Sequence, residues 1–339
     1  MIAGAGFTRR RNRRWSILKK EVLLEVKDVK KVFPLSTSWF AEKKYVRAVD
    51  GVSFTINKGE TFGLVGESGC GKSTTGRLVN GLIKVDEGEV NYKGNDLANI
   101  SEKEWKKYRK PMQMIFQDPY ASLSPRMKIK DILMEPLTIH FPKMSSSEKQ
   151  SIVKELLGKC GISEYHLEKY PHEFSGGQRQ RIGIARSLIL KPELIIADEP
   201  VSALDVSIQS QILNLMKDLQ EEYELTYLFI SHDLSVVEHI SDRVGVMYLG
   251  SLVEVASKQA IFKEPKHPYT KALLSSIPQP DPKVKREQIV LQGDIPSASN
   301  PPAGCKFHTR CPLAMDICKK EVPQLQQVAE DQQVACHLY

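Results

Sequence analysis

Polar and apolar positions alternate along "LLEVKDVKKVF", the pattern of a half-buried strand. "AVDGVSFTINKGETFGLVGESG" predicts two strands joined by a tight turn at Asn57-Lys58-Gly59, the second running into a glycine-rich loop. A helix is expected to begin near Gly71 and continue through "KSTTGRLVNGL". "GEVNYKG" is a short strand closed by glycine, and "PMQMIFQ" an apolar strand ending at Gln117. From there to about Ile189 the spacing turns helical, in "IKDILMEPL", "SSSEKQSIVKELLGKC" and "GQRQRIGIARSLIL", with Ser146 and Glu148 as a capping signal for the second. "ELIIAD" and "TYLFIS" are apolar without alternation, as strands of a parallel sheet are when both faces are covered. Between them "SIQSQILNLMKDLQEEY" is an amphipathic helix, and "RVGVMYLGSLVEVA" reads as two strands around Gly250. Strands alternating with helices predict an α/β core with a mostly parallel sheet. The helical stretch at about 118–190 forms a separate lobe, and beyond about residue 262 dense proline marks an irregular C-terminal extension.

Length and charge narrow the class without naming a chemistry. A chain of 339 residues has enough surface to bury a full core. No apolar run approaches the roughly 18 residues that span a bilayer, so any work at a membrane requires spans from another chain. The arginines from Arg9 to Arg14 have no apolar segment after them of the kind a secretory signal needs. They read as a solvated tail over residues 1–21, or as a contact with anionic lipid worth ~1 kcal/mol per basic residue. The net charge of +7 is modest, and no basic stripe is interleaved with aromatics, so no nucleic-acid partner is expected.

Two clusters carry phosphate chemistry. "GESGCGKS", Gly66 to Ser73, follows a predicted strand and opens a predicted helix, the setting in which G-x-x-x-x-G-K-[ST] binds phosphate. Gly66, Gly69 and Gly71 let the backbone curl so that N–H groups face the anion, with Glu67, Ser68 and Cys70 between them. Lys72 is placed to reach the β- and γ-phosphates and Ser73 to ligate Mg²⁺, with Thr74 next along the helix. Cys70 reads as a small filler. The strand "LIIADEP" ends in Asp198, fit to hold the Mg²⁺ shell, and Glu199, fit to polarise a water aimed at the γ-phosphate.

"FSGGQRQR", with the phosphate loop and "DEP", resembles the ATPases of ABC transporters over about residues 22–260. Gln117 in "IFQDP", Ser202 to Asp205 in "SALD" and His232 in "ISHD" match the family's other motifs. The resemblance implies a P-loop NTPase core with an antiparallel β subdomain and a helical subdomain, and domains at 22–262 and 263–339. It implies that Phe33, or Tyr45 beyond the insertion "PLSTSWFAEKK", stacks on adenine. It also implies that Ser175, Gly176, Gly177 and Gln178 close on ATP held by a facing subunit, with Asp205 at the same interface. Glu199 would then act on the water, His232 on the γ-phosphate, and Gln117 on Mg²⁺. Phe174 stands where leucine is commoner.

"FKEPKHPYTKALLSSIPQPDP" followed by "CKFHTRCP" resembles the oligopeptide and dipeptide importers, and the loop sequences resemble their F-type subunit. That implies a heterodimer with a D-type ATPase, two membrane permeases, an external peptide-binding protein, and a place on the cytoplasmic face of the membrane. Related importers carry nickel or sugars, which remains the alternative cargo. Cys305, Cys311, Cys318 and Cys336 lack the C-x2-C pairs of common zinc sites and the close ferredoxin spacing. The resemblance implies that they hold a [4Fe–4S] cluster that staples the extension. Zinc, with His308 and His337 as spare ligands, and free thiols are the alternatives.

Overall fold

A computed structural model describes residues 21–35, 44–277 and 289–339. The arginine-rich start, most of the insertion after Pro34 and the "PQPDP" segment lie outside the described residues. In chain order the elements begin with β1 (Val22–Pro34), β2 (Tyr45–Asn57), β3 (Thr61–Val65), α1 (Lys72–Val79), β4 (Glu87–Tyr92) and β5 (Asn95–Asp96). There follow α2 (Glu102–Trp105), β6 (Met112–Ile115), α3 (Pro119–Ser122), α4 (Ile129–His140), α5 (Ser146–Lys159) and α6 (Gly176–Leu188). Next come β7 (Leu194–Asp198), α7 (Val206–Tyr223), β8 (Thr226–Ser231), α8 (Leu234–Ile240), β9 (Arg243–Tyr248) and β10 (Ser251–Ser257). The last are α9 (Lys258–Lys263), α10 (Pro268–Ser275), β11 (Gln326–Ala329) and β12 (Gln332–Val334).

Two sheets organise the chain. The larger has the order β11-β12-β10-β9-β3-β8-β7-β6, with β9, β3, β8, β7 and β6 parallel. The smaller, β2-β1-β4-β5, is antiparallel throughout. β2 and β3, the two strands expected on either side of the Asn57 turn, lie in different sheets. The turn carries the chain from one sheet to the other, and Phe54 of β2 stacks on Phe62 of β3 at 4.9 Å to close the gap. β3, β7 and β8 are buried at nearly every residue, which is why they read as unbroken apolar runs. The helical lobe begins after β6 as expected. Its α5 is capped one residue earlier than the sequence suggested: Ser145 and Glu148 form a reciprocal capping box.

The extension departs most from expectation. Residues 289–325 are irregular apart from a 3₁₀ turn at Asp316–Lys319, as expected, but the extension is not a separate appendage. β12 pairs antiparallel with β10, and β11 with β12, so the C-terminus adds two strands to the main sheet. Phe307, 1 % exposed, packs with Tyr248, Tyr269 and His267 at centroid distances of 5.3, 5.3 and 5.6 Å. Buried Glu254 of β10 accepts from Lys266 N and His267 N (both 2.9 Å) and from Gln332 Nε2 (2.6 Å). The extension thus borrows the main core instead of building its own.

Candidate active site

The strand order β3-β8-β7-β6 lines up the carboxyl ends of four parallel strands, the edge where such sheets bind ligands. The phosphate loop leaves β3, His232 follows β8, Asp198 and Glu199 end β7, and Gln117 follows β6. A cleft of about 790 Å³ opens there, lined by Ser68, Gly69, Gly71, Lys72, Ser73, Thr74, Gln117, Glu199 and His232. Val46, Ala48 and Asp118 also line it, none of them singled out by motif.

The loop needs its glycines for space as well as for dihedral angle. Gly66 and Gly71 sit at φ of 153° and 105°, and an added Cβ would lie 2.1 Å from the carbonyl oxygens of Met247 and Ala48 respectively. Lys72 is 4 % exposed, and its Nζ donates to Gly66 O at 2.8 Å and Glu67 O at 3.0 Å, which folds the loop around the ammonium. Cys70 is buried, and burial pushes its thiol up, so it stays protonated and fills space.

Ser73 Oγ donates to Asp198 Oδ1 at 2.7 Å. The other oxygen, Asp198 Oδ2, is buried with no hydrogen-bond partner, and burial raises the carboxyl above its ordinary range. A half-buried hydroxyl beside a buried carboxylate with one oxygen unmatched suits a hard divalent cation, so these residues fit Mg²⁺. Glu199 occupies a φ of 47°, unusual for a side chain with a Cβ. Its N–H donates to Ile230 O at 3.0 Å, holding the turn to β8. Its Oε2 receives Gln117 Nε2 at 2.9 Å and lies 3.1 Å from His232 Nδ1. Three motifs far apart in sequence therefore meet on one carboxylate oxygen.

Other expected residues sit elsewhere. Phe33 pairs with Val46 across β1 and β2, so it shares the face of β2 that lines the cleft, while Tyr45 pairs with Pro34 on the alternate face. Ser175 caps α6, its hydroxyl accepting from Gln178 N and its N–H donating to Gln178 Oε1. Gln178 is thus engaged in capping its own helix. Gly176 and Gly177 open that helix, and a Cβ on Gly177 would lie 2.6 Å from Ile208. Asp205 caps α7 through its backbone, and none of Ser175 to Gln178 lines the cleft.

Matches to known families follow this geometry. Residues 49–202 match the "ABC transporter" family model and residues 253–318 the "Oligopeptide/dipeptide transporter, C-terminal region" model. The oligopeptide transport ATP-binding protein AppF of Bacillus subtilis is 57% identical over 94% of this chain and 98% of its own. The oligopeptide transport ATP-binding protein OppF of Haemophilus influenzae is 51% identical over 94% and 97%. This chain belongs to the ATP-binding subunits of oligopeptide and dipeptide ABC transporters. Among solved structures, a dimeric ATP-binding cassette in a post-hydrolysis state with ADP and Pi matches at a TM-score of 0.63. That match has 28% identity over 69% of this chain and 98% of the cassette. The larger sheet and its motif-bearing edge are those of an ABC ATPase, and no helix among the described residues is long and apolar enough to cross a membrane.

The four clustered cysteines gather within the extension. Burial pushes Cys305 up to about 11 and raises Cys311 and Cys336, each further raised by charge on the neighbouring thiols. Cys305 N donates to Cys318 O at 2.8 Å. Among the described residues, however, no group of three or more His, Cys, Asp or Glu could hold a metal ion. His308 Nδ1 lies 2.8 Å from Cys305 O and His337 Nε2 2.9 Å from Glu321 O, so one nitrogen of each ring is engaged with a carbonyl. The lack of such a group gives the zinc alternative no direct support. The same finding gives the [4Fe–4S] cluster no direct support. Independently of the thiols, the Phe307 contacts and β12 fix the extension to the main sheet.

Proposed function

We propose that this chain is the ATP-hydrolysing motor of a peptide importer. The observation that carries the reading is the meeting of Gln117, His232 and Glu199 beside the Ser73–Asp198 pair. Peptide cargo is favoured over nickel or sugar by the relatives' names, which specify oligopeptide or dipeptide transport. Lys72 and the loop N–H groups bind the phosphates, and Phe33, with Tyr45 as the alternative, supports adenine. Ser73 and Asp198, with Gln117, would hold Mg²⁺, which when bound would supply neutralisation of the phosphate charge. Glu199 orients the attacking water and takes its proton, while His232 and Gln117 hold that carboxylate in place. Replacing Glu199 with Gln keeps the shape and removes the base. It is expected to lower kcat about 10²- to 10⁴-fold with ATP still bound, and unchanged hydrolysis would refute the assignment.

The Ser175 to Gln178 cradle lies outside this chain's own cleft lining, which favours its use on a nucleotide held by a second cassette, with Asp205 at the same seam. We assign that partner as a D-type ATPase, with two permeases and an external peptide-binding protein completing the machine on the cytoplasmic face of the membrane. Residues 22–262 form the motor and 263–339 the importer-type extension. We also read Cys305, Cys311, Cys318 and Cys336 as a [4Fe–4S] site, a reading that rests on the likeness of the extension to the oligopeptide/dipeptide transporter family. Iron and acid-labile sulfide each near four per chain, in protein purified without oxygen, is the expected result. Their absence leaves free thiols.

A further inference from the structure

The phosphate loop carries one acidic side chain, Glu67, in a segment whose work is to attract phosphate. A carboxylate there repels the ligand unless it is matched. Arg310 matches it. Its Nη1 donates to Glu67 Oε2 at 2.9 Å and to Oε1 at 3.3 Å, and its Nη2 to Oε1 at 3.2 Å, a forked contact spanning 243 positions of sequence. The Arg310 side chain is 9% exposed and that of Glu67 23%, so water screens the pair little. The same loop residue is held a second time: Glu67 N donates to Tyr269 Oη at 3.0 Å. Arg310 and Tyr269 both belong to the C-terminal extension, and Arg310 precedes Cys311 directly.

The next residue of the loop's support is also fixed by this segment. Lys306, beside Cys305, donates through Nζ to Asp50 Oδ2 and Ser251 Oγ (both 2.7 Å) and to Leu249 O (3.0 Å). Asp50 N in turn donates to Gly250 O, and Gly250 N to Cys70 O inside the loop. The cysteine-bearing turn therefore grips the phosphate loop at Glu67 directly and at Cys70 through one intermediary strand pair.

We propose that Arg310 is a positioning residue of the ATP site. By clamping Glu67 it cancels the loop's negative charge and fixes its shape, so that ATP affinity depends on the docked extension. The proposal rests on the ATP-site reading above, and Lys72→Ala tests that reading separately by abolishing nucleotide binding. In the full-length chain, Arg310→Met raises the Kd for Mg·ATP about tenfold, the scale of one charge-assisted pair lost beside an anion. In the transporter assembled with its permeases, KM rises alike while kcat changes less than about twofold, as lost ground-state binding requires.

The double variant Glu67→Gln with Arg310→Met decides between charge matching and mere scaffolding. It recovers most of the affinity, because the unmatched carboxylate is gone. Arg310→Lys, which keeps the charge but not the fork, falls between the wild type and Arg310→Met and remains informative if the methionine variant does not fold. Wild-type affinity in every folded Arg310 variant overturns the proposal. So does a double variant as weak as the single one, since that result makes Arg310 a structural contact alone.

Discussion

Glu199 combines two costs that a structural residue has no reason to carry. It sits beside another carboxylate, Asp198, and its backbone adopts a left-handed conformation at φ 47°. Such dihedrals cost of order 1–3 kcal/mol and persist where surrounding structure enforces them. Here the enforcement is visible in the bond from Glu199 N to Ile230 O and in the contacts of Gln117 and His232 with Oε2. Glu199→Gln preserves all of these except the charge, so the loss expected of it falls on kcat. The identity of each of these residues was legible in its motif, because phosphate chemistry restricts the residue types. Their meeting was not, since Gln117 and Glu199 are 82 positions apart and join only through the strand order.

At the scale of the element, α10 is the helix on which Tyr269 rides, and its start depends on a neutral histidine. His267 is 1% exposed, and its Nδ1 accepts from Tyr269 N at 3.1 Å, a bond that an imidazolium does not make. Burial pushes His267 down to about 3 from its ordinary 6.5. Between those values the unfolded chain binds a proton that the folded chain refuses, so stability is full above pH 6.5 and falls as pH drops toward 3. The slope from this one group is about 1.4 kcal/mol per pH unit within that window. His267→Asn keeps a cap acceptor and removes the titration. Denaturant unfolding at pH 7 and pH 5 is expected to show a smaller loss of stability in the variant, and equal losses would exclude His267 as the source. The sequence marked "KHPYTKALL" as family-like without revealing this, because a His before a Pro reads equally well as an exposed turn.

Across the whole molecule, the parallel strands and the helical lobe were legible because periodicity records burial on two faces or one. β11 and β12 were not. "QLQQVAEDQQVA" is polar and short, and it becomes a strand pair because β10 offers an unpaired edge. Removing residues 322–339 is therefore expected to expose that edge and to take Gln332 from buried Glu254. The truncated chain should melt about 5 °C or more lower and self-associate on heating. A melting curve and light-scattering trace identical to those of the full chain would show that the added strands carry no weight. Replacing Cys311 with serine leaves the Phe307 contacts and β12 in place, so an unchanged melting curve is expected, and a drop as large as the truncation's would show that the thiols staple the extension.

The clamp between Glu67 and Arg310 also sets an order of events during synthesis. The ribosome delivers the phosphate loop early and its counter-charge 243 residues later. At about 5–20 residues per second, the loop waits roughly 12–50 s with its carboxylate unmatched. During that interval the nascent cassette already has Lys72 and both motif strands within reach of completion, yet it lacks the residue that makes the loop hospitable to ATP. Full affinity is thus conferred only on chains that have been translated almost to their end, and a prematurely terminated product competes poorly for nucleotide.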